Sequence, residues 1–223
     1  MTKSPEEIEV EQTEEDISKE ELLKFFITDP GESDKKTRTF GLYGDVDEDV
    51  AASVIYALLS LRESGIKTEI VQDDEDETKE EIVTTHEPMT MMVSTHGGVA
   101  HEMFAIYDTM RMVQETCDIE TIGMGKVMSA GVLLLAAGTK GKRRIGRNCR
   151  VMIHPVAAAS MGDLIDIENE TKEIKVLQKQ YVTELVNNTK LTVPQIKKMM
   201  KKKLNIYLSA EEAVKLGIAD EVI

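Results

Sequence analysis

The stretch from Ile119 to His154 leaves this chain little choice of architecture. It reads as a strand from Ile119 to Gly125 and a sharp turn into a helix of small residues. That helix opens at Ser129 and runs through Leu133, Leu134 and Leu135, and a returning strand ends in Met152-Ile153-His154. A strand, a helix and a second strand in this order argue for an α/β fold with mainly parallel pairing. The same stretch carries candidate chemistry. A serine at a helix N-terminus has unpaired backbone N–H groups beside it that can stabilise an oxyanion, and a histidine at a strand end can reach across as a base. Ser129 can equally be a plain helix N-cap and His154 a structural strand-end residue, and periodicity does not by itself bring the two together.

The segments before it repeat the pattern. Thr37 to Tyr43 alternates as a strand, and Asp45 and Asp47 start a helix. Its Val50, Ser53, Val54, Ala57, Leu58 and Leu61 keep helical spacing up to Gly65. Ile66 to Val71 reads as a strand. Gln72 to Pro88, with DDEDETKEE inside it, reads as an exposed loop, because consecutive carboxylates lack the spaced geometry and glycine turn of a calcium loop. Met89 to Ser94 is a buried strand that delivers Thr95-His96-Gly97-Gly98-Val99 to a helix ending near Gln114. Paired glycines between strand and helix expose backbone N–H groups, a candidate second half of an oxyanion hole. No GxGxxG follows the first strand, which disfavours a dinucleotide fold. Beyond Pro155 a long helix from Asp163 to Asn188 carries a mixed stripe of Leu164, Ile167, Thr171, Ile174, Gln178, Tyr181 and Leu185. A further helix follows Thr192, capped by Gln195, and another follows Ser209, capped by Glu212, ending at Gly217.

Composition narrows the classes. A chain of 223 residues suits one domain with a sizeable core, 37–223, preceded by residues 1–36, which are rich in Glu, Asp, Lys and Ser. That acidic segment is expected to be a mobile tail. Its Leu22, Leu23, Phe25, Phe26 and Ile27 follow Ser18-Lys19-Glu20-Glu21 as one short docking helix. A net charge of −14 argues against nucleic acid as a partner. The basic run Lys197 to Lys203 shares a helix with Ile196, Met199, Met200 and Leu204 and reads as a solvated face. The longest apolar run, Ala130 to Ala137, is too short to span a bilayer, and no basic segment precedes an apolar one at the N-terminus, so a cytoplasmic location is expected. Cys117 and Cys149 form no CxxC and are expected to be buried free thiols.

Several separate blocks carry a family likeness. IYDTM from Ile106 to Met110, the segment from Gly123 to Lys142 with SAGVLLLAAGTKGKR from Ser129, MIHP from Met152 to Pro155, and YLSAEEAVKLGIAD from Tyr207 to Asp220 stand in one collinear order. In these blocks the chain, over roughly 38–223, resembles ClpP, the proteolytic subunit of the Clp proteases. The resemblance implies a ClpP/crotonase-like spiral of strand-strand-helix repeats with a protruding handle helix, 163–188, that interlocks two heptameric rings. Position by position it implies Ser129 as nucleophile, His154 as general base, and the N–H groups of Gly98 and Ala130 as the oxyanion hole.

Three departures stand out. The position that carries the family's triad aspartate is Asn205 here. An asparagine can hold the imidazole through its carbonyl oxygen but offers no charge to the imidazolium. Asp163 and Asp166 are alternatives for that role. Thr95-His96 stands where Ser-Pro commonly precedes the glycine pair, and no segment like the family's axial gate is recognisable before Thr37.

The function implied is a serine endopeptidase that cleaves peptides and unfolded proteins through an acyl-enzyme inside a homo-oligomeric chamber. It would need no metal or organic cofactor in this subunit, with ATP used only by a partner Clp-family ATPase. The alternatives are a weak or inactive ring subunit paired with an active paralogue, and a phage capsid or scaffold maturation protease of the same fold. A crotonase-like acyl-CoA enzyme would not need the Ser129 and His154 pair.

Overall fold

The computed structural model describes residues 37–72, 80–201 and 205–223. The expected N-terminal tail and its docking helix lie outside the described residues. Contacts gather Arg38–Ile223 into one unit.

That unit is built on a seven-stranded sheet. Its first strand, β1 (Thr39–Val46), leads into helix α1 (Glu48–Ser64), where the Asp47 side chain caps by accepting from the Val50 N–H. Ala51, Val54, Ala57 and Leu58 form its buried face against β1 and the next sheet-packed helix, α2 (Ala100–Val113). Between them runs β4 (Met89–Gly98), whose Met89, Met91, Val93 and Thr95 are buried while their neighbours are less so, the two-residue period of a strand with one face in the core.

One expectation is corrected here. The segment 72–88 is not all loop. Glu80–His86 is a strand, β3, paired antiparallel with β2 (Ile66–Gln72) in a two-stranded arm separate from the main sheet. Its β-branched run Ile82-Val83-Thr84-Thr85 favours extended backbone whether or not it is buried. The arm packs little apolar surface: Ile70 and Ile82, opposite each other in register, are 67% and 69% exposed.

In the main sheet β4 pairs in parallel with β1 on one side and β5 (Ile119–Met128) on the other. Strand β5 changes partners halfway. Residues Thr121, Ile122 and Gly123 pair with β6 (Arg143–Ile145), whereas Lys126, Val127 and Met128 pair with β7 (Arg150–Ile153), both in parallel. Gly125, at φ 65°, sits between the two halves and supplies a bend that other residues adopt at a cost. Helix α3 (Ala130–Ala136), AGVLLLA, is buried throughout and lies against β4 and β5, as a helix apolar on all sides must.

The C-terminal part closes the unit. The long helix α4 (Leu164–Asn188), capped by Asp163, buries Leu177, Tyr181, Val182, Leu185 and Asn188 toward its C-terminal end and exposes Leu164 and Ile165 at the other. It is followed by α5 (Val193–Lys201), then β8 (Ile206–Leu208), which pairs antiparallel with β7, then α6 (Ala210–Lys215) and β9 (Glu221–Val222) beside β6. The predicted caps are present: Gln195 accepts from Thr192, and Ser209 with Glu212 forms a capping box.

Two buried polar groups lock α4 to this frame. Arg143, 4% exposed, donates to the carbonyls of Ala136 and Asn188 and to both oxygens of Asp220. Tyr107 donates to Glu184 at 2.7 Å and accepts from Asn188 at 3.0 Å; burial, then the Glu184 carboxylate, pushes its phenol up to about 12. The mixed α/β architecture with a mostly parallel sheet and an outstretched α4 is the one expected.

Candidate active site

Parallel pairing of β5 with β7 places Met128 opposite Met152. The next residue of one strand is Ser129, and two residues on in the other is His154, so the sheet brings the pair to one edge. The Ser129 N–H donates to the Met152 carbonyl at 2.8 Å, and Ser129 Oγ lies 2.7 Å from His154 Nε2. Ser129 occupies the N-cap position of α3 without acting as its cap, since its side chain makes no bond to the helix N–H groups. The plain N-cap reading therefore fails on geometry.

The backbone of Ser129 is unusual. At φ 53° and ψ −119° it is the one non-glycine residue with positive φ among the described residues. A conformation of that kind costs about 1–3 kcal/mol and persists only where its surroundings over-determine it. It lifts the side chain out of the turn between β5 and α3, toward β7.

The glycine pair is required by the tight space on both sides of it, Ser129 at Gly97 and Val46 at Gly98. A Cβ on Gly97, at φ 105°, would stand 2.5 Å from the Ser129 Cβ, and one on Gly98 would overlap the Val46 carbonyl. The turn is fixed by the buried Thr95, whose hydroxyl accepts from the Gly97 N–H at 2.9 Å, and by the Val99 N–H on the Val46 carbonyl. Gly98, Ser129, Ala130 and His154 all line one cavity of about 740 Å³, together with apolar walls from Met103 and Leu177. Ala130 opens α3, so its N–H has no acceptor within the helix. His96, an exposed residue, also lines this cavity, as do Asp45 and Asp47.

The third-member candidates fare differently. The antiparallel pairing of Ile153 with Ile206 puts Asn205 beside His154 if the register is carried one step further. Asn205 is exposed, and among the described residues the only hydrogen bond of the His154 ring is to Ser129. Asp163 is engaged elsewhere, accepting from the N–H groups of Ile165 and Asp166 as the α4 cap.

Two residues of the site were not singled out from sequence. Tyr181 donates its hydroxyl to the Ser129 carbonyl at 3.0 Å, and the Gln178 side-chain oxygen accepts from the Val156 N–H at 2.7 Å. Both belonged to the mixed stripe of α4, and a bond to a distant backbone atom has no periodic signature.

Cys117 and Cys149 are buried free thiols, and burial pushes Cys149 up to about 11. Neither lines the cavity. Among the described residues no group of three or more His, Cys, Asp or Glu is arranged to hold a metal ion, and no helix is long and apolar enough to cross a membrane.

The family model for Clp protease matches residues 80–223. The match begins at β3 and takes in β4 with its glycine turn, the β5–α3 turn, the end of β7 and every element after it. Strand β1 and helix α1 lie before it, although β1 is part of the same sheet. A match over more than half of the chain, on a mostly parallel α/β frame, establishes that this chain belongs to the Clp protease family and is a ClpP-like peptidase.

Proposed function

We propose that the protein is a serine endopeptidase working through an acyl-enzyme, with Ser129 as nucleophile and His154 as general base. The observation that carries this reading is the 2.7 Å contact between Ser129 Oγ and His154 Nε2, made from a backbone conformation that other residues avoid. His154 Nε2, unprotonated, takes the hydroxyl proton as Ser129 Oγ attacks the peptide carbonyl. The resulting oxyanion is held by the N–H groups of Gly98 and Ala130. The protonated imidazole then gives its proton to the leaving amine, and water, activated by the same ring, releases the acyl group. This chemistry needs no metal or organic cofactor in this subunit.

In this scheme Asn205 is the third member, accepting from His154 Nδ1–H through its amide oxygen once substrate closes the gap. It fixes the tautomer without a charge to stabilise the imidazolium, which makes the enzyme slow. The family is generally oligomeric. The proposed assembly is a homo-oligomeric chamber of stacked rings, fed with unfolded protein by a Clp-type ATPase that alone consumes ATP. The absence of a bond between Asn205 and the ring favours, as a second reading, a weak subunit paired with an active paralogue.

Turnover of a fluorogenic peptide separates these. His154→Ala should lower kcat by about 10⁴-fold, and equal turnover in a folded variant would end the proposal. Asn205→Asp should raise kcat; an unchanged or lower value would remove Asn205 from the third position.

A further inference from the structure

Helix α4 places Gln178 and Tyr181 three residues apart on one face, and that face meets the backbone of Ser129 and of the segment just past His154. Tyr181, 4% exposed, donates to the carbonyl of Ser129, the residue with the strained backbone. That carbonyl also accepts from the Val132 N–H at 3.0 Å, so the hydroxyl is its second donor. Burial pushes the Tyr181 phenol well above the ordinary tyrosine value, which keeps the donor protonated. One turn earlier, Gln178 accepts from Val156 N–H, two residues beyond His154, and its amide nitrogen lies 3.1 Å from Met200 Sδ of α5. Strand β7 ends at Ile153, so His154 stands past the last paired residue. The Val156 bond is the anchor on its far side.

We infer that Gln178 and Tyr181 are positioning residues, a two-point clamp from α4 that fixes the separation and alignment of Ser129 and His154 without touching substrate chemistry. The inference rests on the reading of that pair as catalytic. Without the Tyr181 donor, Ser129 can relax out of its strained turn. Without the Gln178 acceptor, the segment carrying His154 is held at one end only. Each loss lowers the fraction of molecules aligned for proton transfer and leaves the cavity walls in place.

The test is the rate of Ser129 phosphonylation by a fluorophosphonate, with peptide kcat and KM measured alongside. The Ser129 oxygen bonds to phosphorus, fluoride leaves, and the hydroxyl proton passes to His154. Tyr181→Phe and Gln178→Met should each slow labelling and kcat by about tenfold, with KM changed by less than about twofold. Gln178→Glu keeps an oxygen acceptor toward Val156 and should label within about twofold of wild type.

Folding is checked by near-UV circular dichroism, and the Gln178 pair carries the test if Tyr181→Phe does not fold. Wild-type rates in folded Gln178→Met, or Gln178→Glu as slow as Gln178→Met, would overturn the clamp while leaving Ser129 labelled. A wild type that takes no label on Ser129 would instead overturn the underlying reading, and the clamp with it.

Discussion

The β5/β7 pair and the β2/β3 arm hold their registers by different means. In the first, Val127 and Val151 are fully buried, α3 lies across the strands, and the strand ends are tied by the Ser129 and Met152 backbone bond. A slip of one residue would turn every core side chain outward. In the arm, opposed Ile70 and Ile82 are mostly exposed, so a slip costs little burial. The difference locates the constraint: precision is concentrated where two parallel strands end together and deliver Ser129 and His154. The arm carries no residue of the cavity and is free to vary without moving the pair.

Gly97→Ala attacks the constrained region most directly. The new Cβ meets Ser129 at 2.5 Å on a backbone at φ 105°, so either the glycine turn or Ser129 must move. Peptide turnover should fall by about 100-fold, the scale of a 1 Å misplacement. Turnover within twofold of wild type would mean that the turn is less rigidly coupled to Ser129 than the geometry indicates.

Asp220→Asn should act on stability. It leaves the Arg143 guanidinium, 5% exposed, without its charged partner. Removing one partner of a buried pair costs about 3–5 kcal/mol, and the partial exposure of Asp220 discounts this to about 2 kcal/mol. A Tm lower by about 4–8 °C is the expected reading.

The pH dependence has a definite sign. Hydrogen bonds from Arg143, first the side chain, hold the Asp220 carboxyl below its ordinary value of 3.8. A depressed carboxylate contributes stability above its unfolded pKa and loses it as pH falls through the folded one. The gap between wild type and Asp220→Asn should therefore be full at neutral pH and narrow below about pH 4. A gap that widened in acid would refute this assignment.

The smallest effect belongs to the arm. Ile82→Thr keeps a β-branched residue at an exposed position, so thermal stability should change by less than about 0.5 kcal/mol and turnover should not change. A large loss of either would show that the arm is joined to the site after all.

Helix boundaries were the most legible part of the sequence, because caps are local: Asp47, Asp163, Ser209 with Glu212, and Thr192 with Gln195 each act within three residues. Strand β3 was hidden by the charge run before it, although Ile82-Val83-Thr84-Thr85 carried the signal. The switch of β5 from β6 to β7 at Gly125 was not visible, since one strand sequence does not state its neighbours. Of the candidate site, the placement of Ser129, His154, Gly98 and Ala130 around one cavity was legible from residue types and family blocks. The roles of Tyr181 and Gln178 were not, because they bond to backbone atoms that only the tertiary fold brings near.

The central claim is that Ser129 is activated by its contact with His154. Intact-mass analysis after fluorophosphonate treatment of folded wild type and folded Ser129→Ala tests it most directly. One adduct on wild type and none on the variant is the result predicted; no adduct on wild type, or an equal adduct on both, would contradict it.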